Sequence, residues 1–309
     1  MIRYYYKNLR SPKIEKLDEY RRGAWVHVEA PTHDELQILA DKFKLTLGHL
    51  EDALDEDEMP RLEKEGAQSY IFVRFAYQKR NGEVETTPLL FIFGDDFLIT
   101  ISLVRLPAVD AFVNGKVEFT TTQRAKLVLQ ILQQIVEQYD GLIAKSSKRI
   151  KAIRSRLRGH EIANQDFIDF VTIEDELNEF LSSLMPTNAT LRRLLLGRYM
   201  PLFAEDQDIV EDLLLNNEQS IESCNSNLKS VANIREAYSS IGANNLNRTM
   251  KVLTAATVII ALPNLFYSMY GMNVQLPWQA QPWAYWVITG FTGLIVIVCL
   301  IVARSKRIF

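Results

Sequence analysis

Residues 250–273 read MKVLTAATVIIALPNLFYSMYGMN, and this stretch decides the fold. From 252 to 270 it runs for 19 residues without Asp, Glu, Lys or Arg. A helix needs about 20 apolar residues to cross a hydrocarbon core about 30 Å thick. A second run of 21 residues, 283–303, is equally free of charge, as is the connection between the two. The 35 basic and 38 acidic residues therefore all lie in the other 257 positions of the 309. That partition predicts a soluble part joined to a membrane part with spans at about 250–270 and 283–303. A pair of buried core helices is disfavoured, because basic residues flank both runs. Trp278, Trp283, Tyr285 and Trp286 cluster at the start of the second run, as an interfacial aromatic belt does.

Arg248 and Lys251 precede the first run, and Arg304, Lys306 and Arg307 follow the second. The positive-inside rule then puts both termini in the cytoplasm and the short connection outside. Residues 1–13 are basic and tyrosine-rich with no apolar core, so no cleavable signal peptide is expected. Two cysteines, Cys224 and Cys299, form no CxxC pair, which fits a reducing compartment. The expected location is the plasma (inner) membrane.

Residues 1–120 predict a cytoplasmic α/β domain. Strand-like runs occur at 24–28, 70–77, 89–93 and 97–102, the last two separated by Gly94-Asp95-Asp96, a hairpin-type turn. Thr32 and Glu35 form a capping box before a helix, and a short helix is expected at 46–54. Residues 121–249 predict a helical stalk that continues into the first span. Apolar residues recur at helical spacing in Leu127, Ile131, Ile135, Tyr139 and Leu142. Helices are expected at 122–158, ended by Gly159, at 164–198, with Pro186 as a kink site, and from 202 to 270. The last would be about 105 Å long at 1.5 Å per residue, which calls for a stalk or an oligomer. The class is thus an α+β cytoplasmic domain with long stalk helices and two transmembrane helices.

Tyr270-Gly271-Met272-Asn273 at the end of the first run, two C-terminal spans, a short loop and a basic tail resemble the CorA family of divalent-cation transporters. Leu50-Glu51-Asp52, Pro60-Arg61-Leu62-Glu63 and Lys251-Val252-Leu253-Thr254 extend the likeness over nearly the whole chain. The resemblance implies a funnel-shaped homopentamer in lipid, with the first span lining a central pore and the second outside it. It implies Mg²⁺ as the transported and regulatory ion, with Co²⁺ or Ni²⁺ as further cargo, and no organic cofactor. The family's zinc-transporting branch varies the triplet, so the intact Gly271-Met272-Asn273 favours magnesium.

Stepping back from Asn273 at helical spacing gives Ser268, Asn264, Ala261, Thr257, Leu253 and Met250. Polar side chains facing lipid are costly, so Ser268, Asn264 and Thr257 should face water or protein. Pore lining is one reading; hydrogen bonding between helices is the other. Asn273 would form a ring of amide oxygens that holds Mg²⁺ through its retained waters, and Gly271 would allow close backbone approach. By resemblance, Leu253 and Met250 form a hydrophobic gate, Glu236 an acidic ring at the inner mouth, and Asp212 a regulatory metal ligand between subunits.

The sequence also departs from the family. The loop 274–282 has no acidic residue, so ion capture at the outer mouth should be weaker. Pro263 lies one place off the family's usual register. The competing class is a non-conducting scaffold or regulator of the same shape. The acidic run 51–58 has two readings, a divalent-cation site and a solvated loop, and the second is favoured. His27, His33, His49 and His160 show no zinc spacing. The basic stretch 145–158 reads as a helix face pairing with acidic neighbours, not a nucleic-acid site. No Walker loop and no nucleophile–base arrangement is evident, so an enzyme is not expected.

Overall fold

The structure is a computed structural model that describes residues 1–309 except 11, 12, 80, 81, 159–163, 275, 279 and 307–309. Gly159, His160 and Arg307 lie outside the described residues. The chain divides into two compact units, Met1–Ala232 and Asn233–Phe309.

The first unit is built on one seven-stranded sheet. Its strands are β1 (Ile2–Tyr6), β2 (Glu15–Leu17), β3 (Trp25–Glu29), β4 (Arg61–Glu65), β5 (Gln68–Gln78), β6 (Val84–Phe93) and β7 (Leu98–Ser102). They lie in the order β2-β1-β3-β7-β6-β5-β4. Among the described residues only β3 and β7 pair in parallel, Trp25 opposite Leu98 and Val28 opposite Ile101. Both strands are buried on both faces, which explains their unbroken apolar character. The β6–β7 turn closes with Gly94 N–H donating to Phe97 O at 3.1 Å, and a Cβ at Gly94 would collide with the Phe97 ring.

Helix α1 (His33–Phe43) starts at the expected capping box, with Glu35 N–H donating to Thr32 Oγ1 and Thr32 N–H to Glu35 Oε2. With α2 (Leu47–Asp52) it covers one face of the sheet. Leu36, Leu39, Phe43 and Leu50 pack there with Val26, Val28, Tyr70, Leu90 and Ile99. Helix α3 (Pro107–Val113) brings Phe112 edge-on to Trp25 at 6.3 Å. The acidic run 51–58 is pinned locally. Buried Arg74 donates from Nη1 to Glu56 O and Glu58 O at 2.7 and 2.9 Å, while Arg61 pairs with Asp52 at 2.6 Å and with Glu58.

Three long helices follow: α4 (Arg124–Arg158), α5 (Asn164–Leu194) and α6 (Ala204–Tyr270), the last with 67 residues. Pro186 sits inside α5, and that helix ends at Leu194, not at 198; Gly197 takes a left-handed φ of 68° just beyond it. In α5 the buried residues Phe170, Ile173, Leu177, Phe180, Leu184, Thr187, Leu191 and Leu194 are spaced by three and four in turn. In α6, Asp206, Val210, Leu213, Asn217, Ser220 and Cys224 keep the same spacing. A sustained period of 3.5 is the pattern of left-handed coiled-coil packing. Side-chain pairs fix the directions. Arg149–Glu176 at 3.0 Å and Arg156–Asp166 make α4 and α5 antiparallel. Asp140–Ser220 and Ser147–Asn227 make α4 and α6 parallel. Of the basic stretch, Arg149 and Arg156 thus find acidic neighbours, whereas Lys145, Lys148, Lys151 and Arg154 form no ion pair among the described residues. Helix α7 (Ala284–Ser305) is the last described helix.

Candidate functional site

The second unit holds the C-terminal part of α6 and all of α7. Both helices are long and apolar enough to cross a membrane. The apolar window of α6 has no buried residue, so it is not packed as a core helix within this chain.

Around α6 the two sides differ. Val252, Ala255, Ile259, Pro263, Phe266 and Tyr270 are partly covered and recur every three or four residues. Contact with α7 runs through this side. Phe266 stands edge-on to Phe291 at 5.4 Å, and the adjacent Tyr267 hydroxyl lies 3.2 Å from Thr292 Oγ1. Met250, Leu253, Thr257, Ala261, Asn264 and Ser268 are all exposed. At about 100° per residue they fall on the opposite side of the helix from that covered stripe. The six candidate lining residues thus share one unpartnered face of one helix. Thr257 donates its hydroxyl to Leu253 O at 2.8 Å, which satisfies it within the helix. The Asn264 amide makes no side-chain hydrogen bond among the described residues, and no hydrogen bond joins Thr257 or Asn264 to α7. The helix–helix reading of these two polar residues is not realised inside one chain.

The triplet closes the helix. Gly271 N–H donates to Tyr267 O at 3.1 Å and to Ser268 O at 3.2 Å, and Met272 N–H to Met269 O at 3.2 Å. Gly271, Met272 and Asn273 are exposed. A Cβ at Gly271 would meet only Ser268 O at 3.5 Å and Tyr267 O at 3.6 Å, ordinary contact distances. Nothing within one chain demands glycine there. Behind the triplet the Tyr270 hydroxyl donates to Pro277 O at 3.4 Å, and Trp278, at a left-handed φ of 64°, sets its ring 5.8 Å from Trp283. Reading the sequence did not single out Tyr267 or Thr292. An aromatic and a threonine in an apolar run carry no signal until their helices are paired.

Glu236 is exposed on α6 in the second unit, and Asp212 is exposed on α6 in the first. Neither forms an ion pair among the described residues. Among those residues no group of three or more His, Cys, Asp or Glu side chains could hold a metal ion within one chain. His27 is buried, with Nδ1 2.9 Å from Thr100 Oγ1, and burial holds its pKa down at about 4. Cys224 is buried in the α6 seam, and its thiol pKa is pushed up to about 12 by that burial, with Asp140 adding to the shift.

The sequence model of the family described as CorA-like Mg²⁺ transporter protein matches residues 21–304. The chain belongs to this family. It is 23% identical to the cobalt/magnesium transport protein CorA of Methanocaldococcus jannaschii, over 96% of this chain and 94% of that one. It is 21% identical to the protein of the same description from Thermotoga maritima, over 98% and 89% of the two chains. The complete structure of the CorA magnesium transporter from M. jannaschii superposes with a TM-score of 0.86 at 22% identity, covering 98% of this chain and 97% of that one. The full-length CmaX protein superposes with a TM-score of 0.77 at 21% identity, covering 99% and 97%. The CorA fold is therefore that of the whole chain, soluble and membrane parts together.

Proposed function

We propose that this CorA-family chain conducts divalent cations, Mg²⁺ first among them, through a pore at the centre of a homopentamer. One observation carries the reading. Thr257, Asn264 and Ser268 share the exposed face of the first span, opposite the stripe that meets α7. Five copies that turn this face to a common axis would hide Thr257, Asn264 and Ser268 from lipid and give them to water. Polar groups inside a bilayer call for such an environment. The curated relatives are named as transport proteins for cobalt and magnesium, which supports a transporter over an enzyme.

In this reading Gly271, Met272 and Asn273 form the outer filter. Hydrated Mg²⁺ gives up water reluctantly, so amide oxygens of Asn273 hold its water shell without stripping it. Met250 and Leu253 form the inner hydrophobic constriction, and Glu236 lies at the inner mouth. Asp212 contributes to a metal site that only neighbouring copies complete. Cytosolic Mg²⁺ bound there favours the closed arrangement by mass action. The membrane potential drives entry: a divalent ion gains about 4.6 kcal/mol per 100 mV. Residues 1–120 are the α/β domain, 121–249 the stalk and 250–309 the membrane domain, with both termini in the cytoplasm of the inner membrane.

A second reading rests on the uncharged loop 274–282. Without a negative field to concentrate cations, the chain would serve as a non-conducting scaffold, or would pass Co²⁺, Ni²⁺ or Zn²⁺. Growth of a magnesium-uptake-deficient strain on limiting magnesium separates the two. Rescue by the wild type and failure of Asn273→Ala at equal expression support the pore. Rescue by both, or by neither, goes against it.

A further inference from the structure

We propose that Tyr267 is a positioning residue that sets the rotation of the first span, and hence the filter, by gripping Thr292 on the second span; this rests on the pore reading above. Thr292 is buried, and its hydroxyl donates to Ile288 O at 2.8 Å and to Thr289 O at 3.0 Å. In the 3.2 Å contact between the Tyr267 and Thr292 hydroxyls either oxygen can donate, and donation by Tyr267 leaves the Thr292 proton for its own helix. Tyr267 has a second role. Its carbonyl accepts the Gly271 N–H at 3.1 Å. One residue therefore joins α7 through its side chain and the first member of the triplet through its backbone. Phe266 against Phe291 supplies contact area at the same level but no direction-dependent bond.

The geometry explains why a hydrogen bond matters here. From Val252 to Phe266 the partly covered stripe of α6 is apolar, and apolar contacts between helices in lipid tolerate small rotations. A side chain about 5 Å from the helix axis moves about 2 Å when the helix turns by 20°. Hydrogen bonding to the waters of a hydrated ion is limited to a window of about 0.5 Å. A filter that works through such waters needs its helix held in rotation, and Tyr267–Thr292 is a bond of that kind placed one turn before the triplet. It should act on discrimination between ions more than on assembly.

The test uses the full-length protein in liposomes, with Tyr267→Phe, Thr292→Val, the double variant and Thr292→Ser, which keeps the hydroxyl. The readout is the ratio of Mg²⁺ to Ca²⁺ uptake. Tyr267→Phe and Thr292→Val should each lower that ratio about three- to tenfold. The double variant should go no further, and Thr292→Ser should keep the wild-type ratio. A purely structural contact would change yield or Tm and leave the ratio alone. Ratios within twofold of wild type in both single variants overturn the proposal. Hydrogen exchange of residues 268–273 is read in parallel. It should speed up at least fivefold in Tyr267→Phe, and unchanged exchange also overturns the proposal. Wild-type protein that carries no ion defeats the pore reading instead, and exchange then decides the Tyr267–Thr292 bond by itself.

Discussion

Asn227 on α6 donates to Ser147 on α4 at 2.8 Å, and one heptad earlier Ser220 on α6 donates to Asp140 on α4. Both pairs are separated by 80 positions, so a single register aligns the two helices. The α6 seam at this level is Asn217, Ser220 and Cys224, with no large apolar side chain. Polar groups in a coiled-coil seam fix register at a cost in stability. Asn217 shows that cost. Its amide donates to Leu184 O at 2.9 Å, but its buried Oδ1 meets no hydrogen-bond donor among the described residues. Asn217→Leu should therefore raise unfolding free energy by about 1 kcal/mol, because an unpaired buried acceptor costs about 1–3 kcal/mol. Chemical denaturation of the full-length protein in detergent checks the sign.

Arg74 should be far less tolerant of change. Its Nε and Nη2 donate to Thr86 Oγ1 and Thr86 O at 2.9 Å each, and Nη1 donates to the carbonyls of Glu56 and Glu58. Glu179 stands 3.6 Å away as its counter-charge. Arg74→Ala strands all of these acceptors and should cost about 3–5 kcal/mol. Arg74→Lys should recover only part, because one ammonium cannot reach acceptors set for a planar fork. Denaturation midpoints of the two variants test this ordering.

His27 makes stability depend on pH. Burial, with help from Arg3 and the N-terminal amine, lowers its folded pKa from 6.5 to about 4, while Asp110 opposes the shift. The unfolded chain therefore binds the proton first. Stability is full above pH 6.5, falls as pH drops from 6.5 through 4, and levels off below. The whole effect is on the order of 3 kcal/mol at 1.36 kcal/mol per unit. Thr100 Oγ1 accepts from Trp25 Nε1 at 2.9 Å and lies 2.9 Å from His27 Nδ1, so the buried ring is held in a fixed place beside it. His27→Leu should flatten the pH dependence between 4 and 6.5 relative to wild type. An equal slope in both proteins would contradict this assignment.

Gly271→Ala separates folding from assembly. The added methyl fits within one chain, so helix content and Tm of the soluble part should be unchanged. Uptake should fall about tenfold or more if neighbouring copies or the ion approach that backbone closely. Circular dichroism and uptake on the same preparation give both answers.

Much of this architecture is legible in the sequence. Uncharged runs mark both spans, Thr32 and Glu35 mark a helix start, and Gly94-Asp95-Asp96 marks a hairpin. Other elements carry no such signal. Edge strand β4, Arg61–Glu65, is four-fifths charged and shows no strand-like apolar run; its charges suit an unpaired edge. β2 has only three residues, and α3 is a single short segment opened by Pro107. The period of 3.5 in α5 and α6 is obscured because Asn217, Ser220 and Cys224 occupy seam positions that an apolar count skips. Within the candidate site, the spacing back from Asn273 gives six residues, all of them exposed on α6. The Tyr267–Thr292 contact depends on how two helices pair, which periodicity along one helix cannot express.

The most direct test of the account is Mg²⁺ uptake into liposomes under an imposed inside-negative potential, with no nucleotide present. Wild-type protein should admit Mg²⁺ at a rate that rises with the potential, and Asn273→Ala, assembled to the same size, should not exceed empty liposomes. Wild-type uptake no greater than that of empty liposomes, from correctly oriented oligomers, would contradict a magnesium-conducting pore.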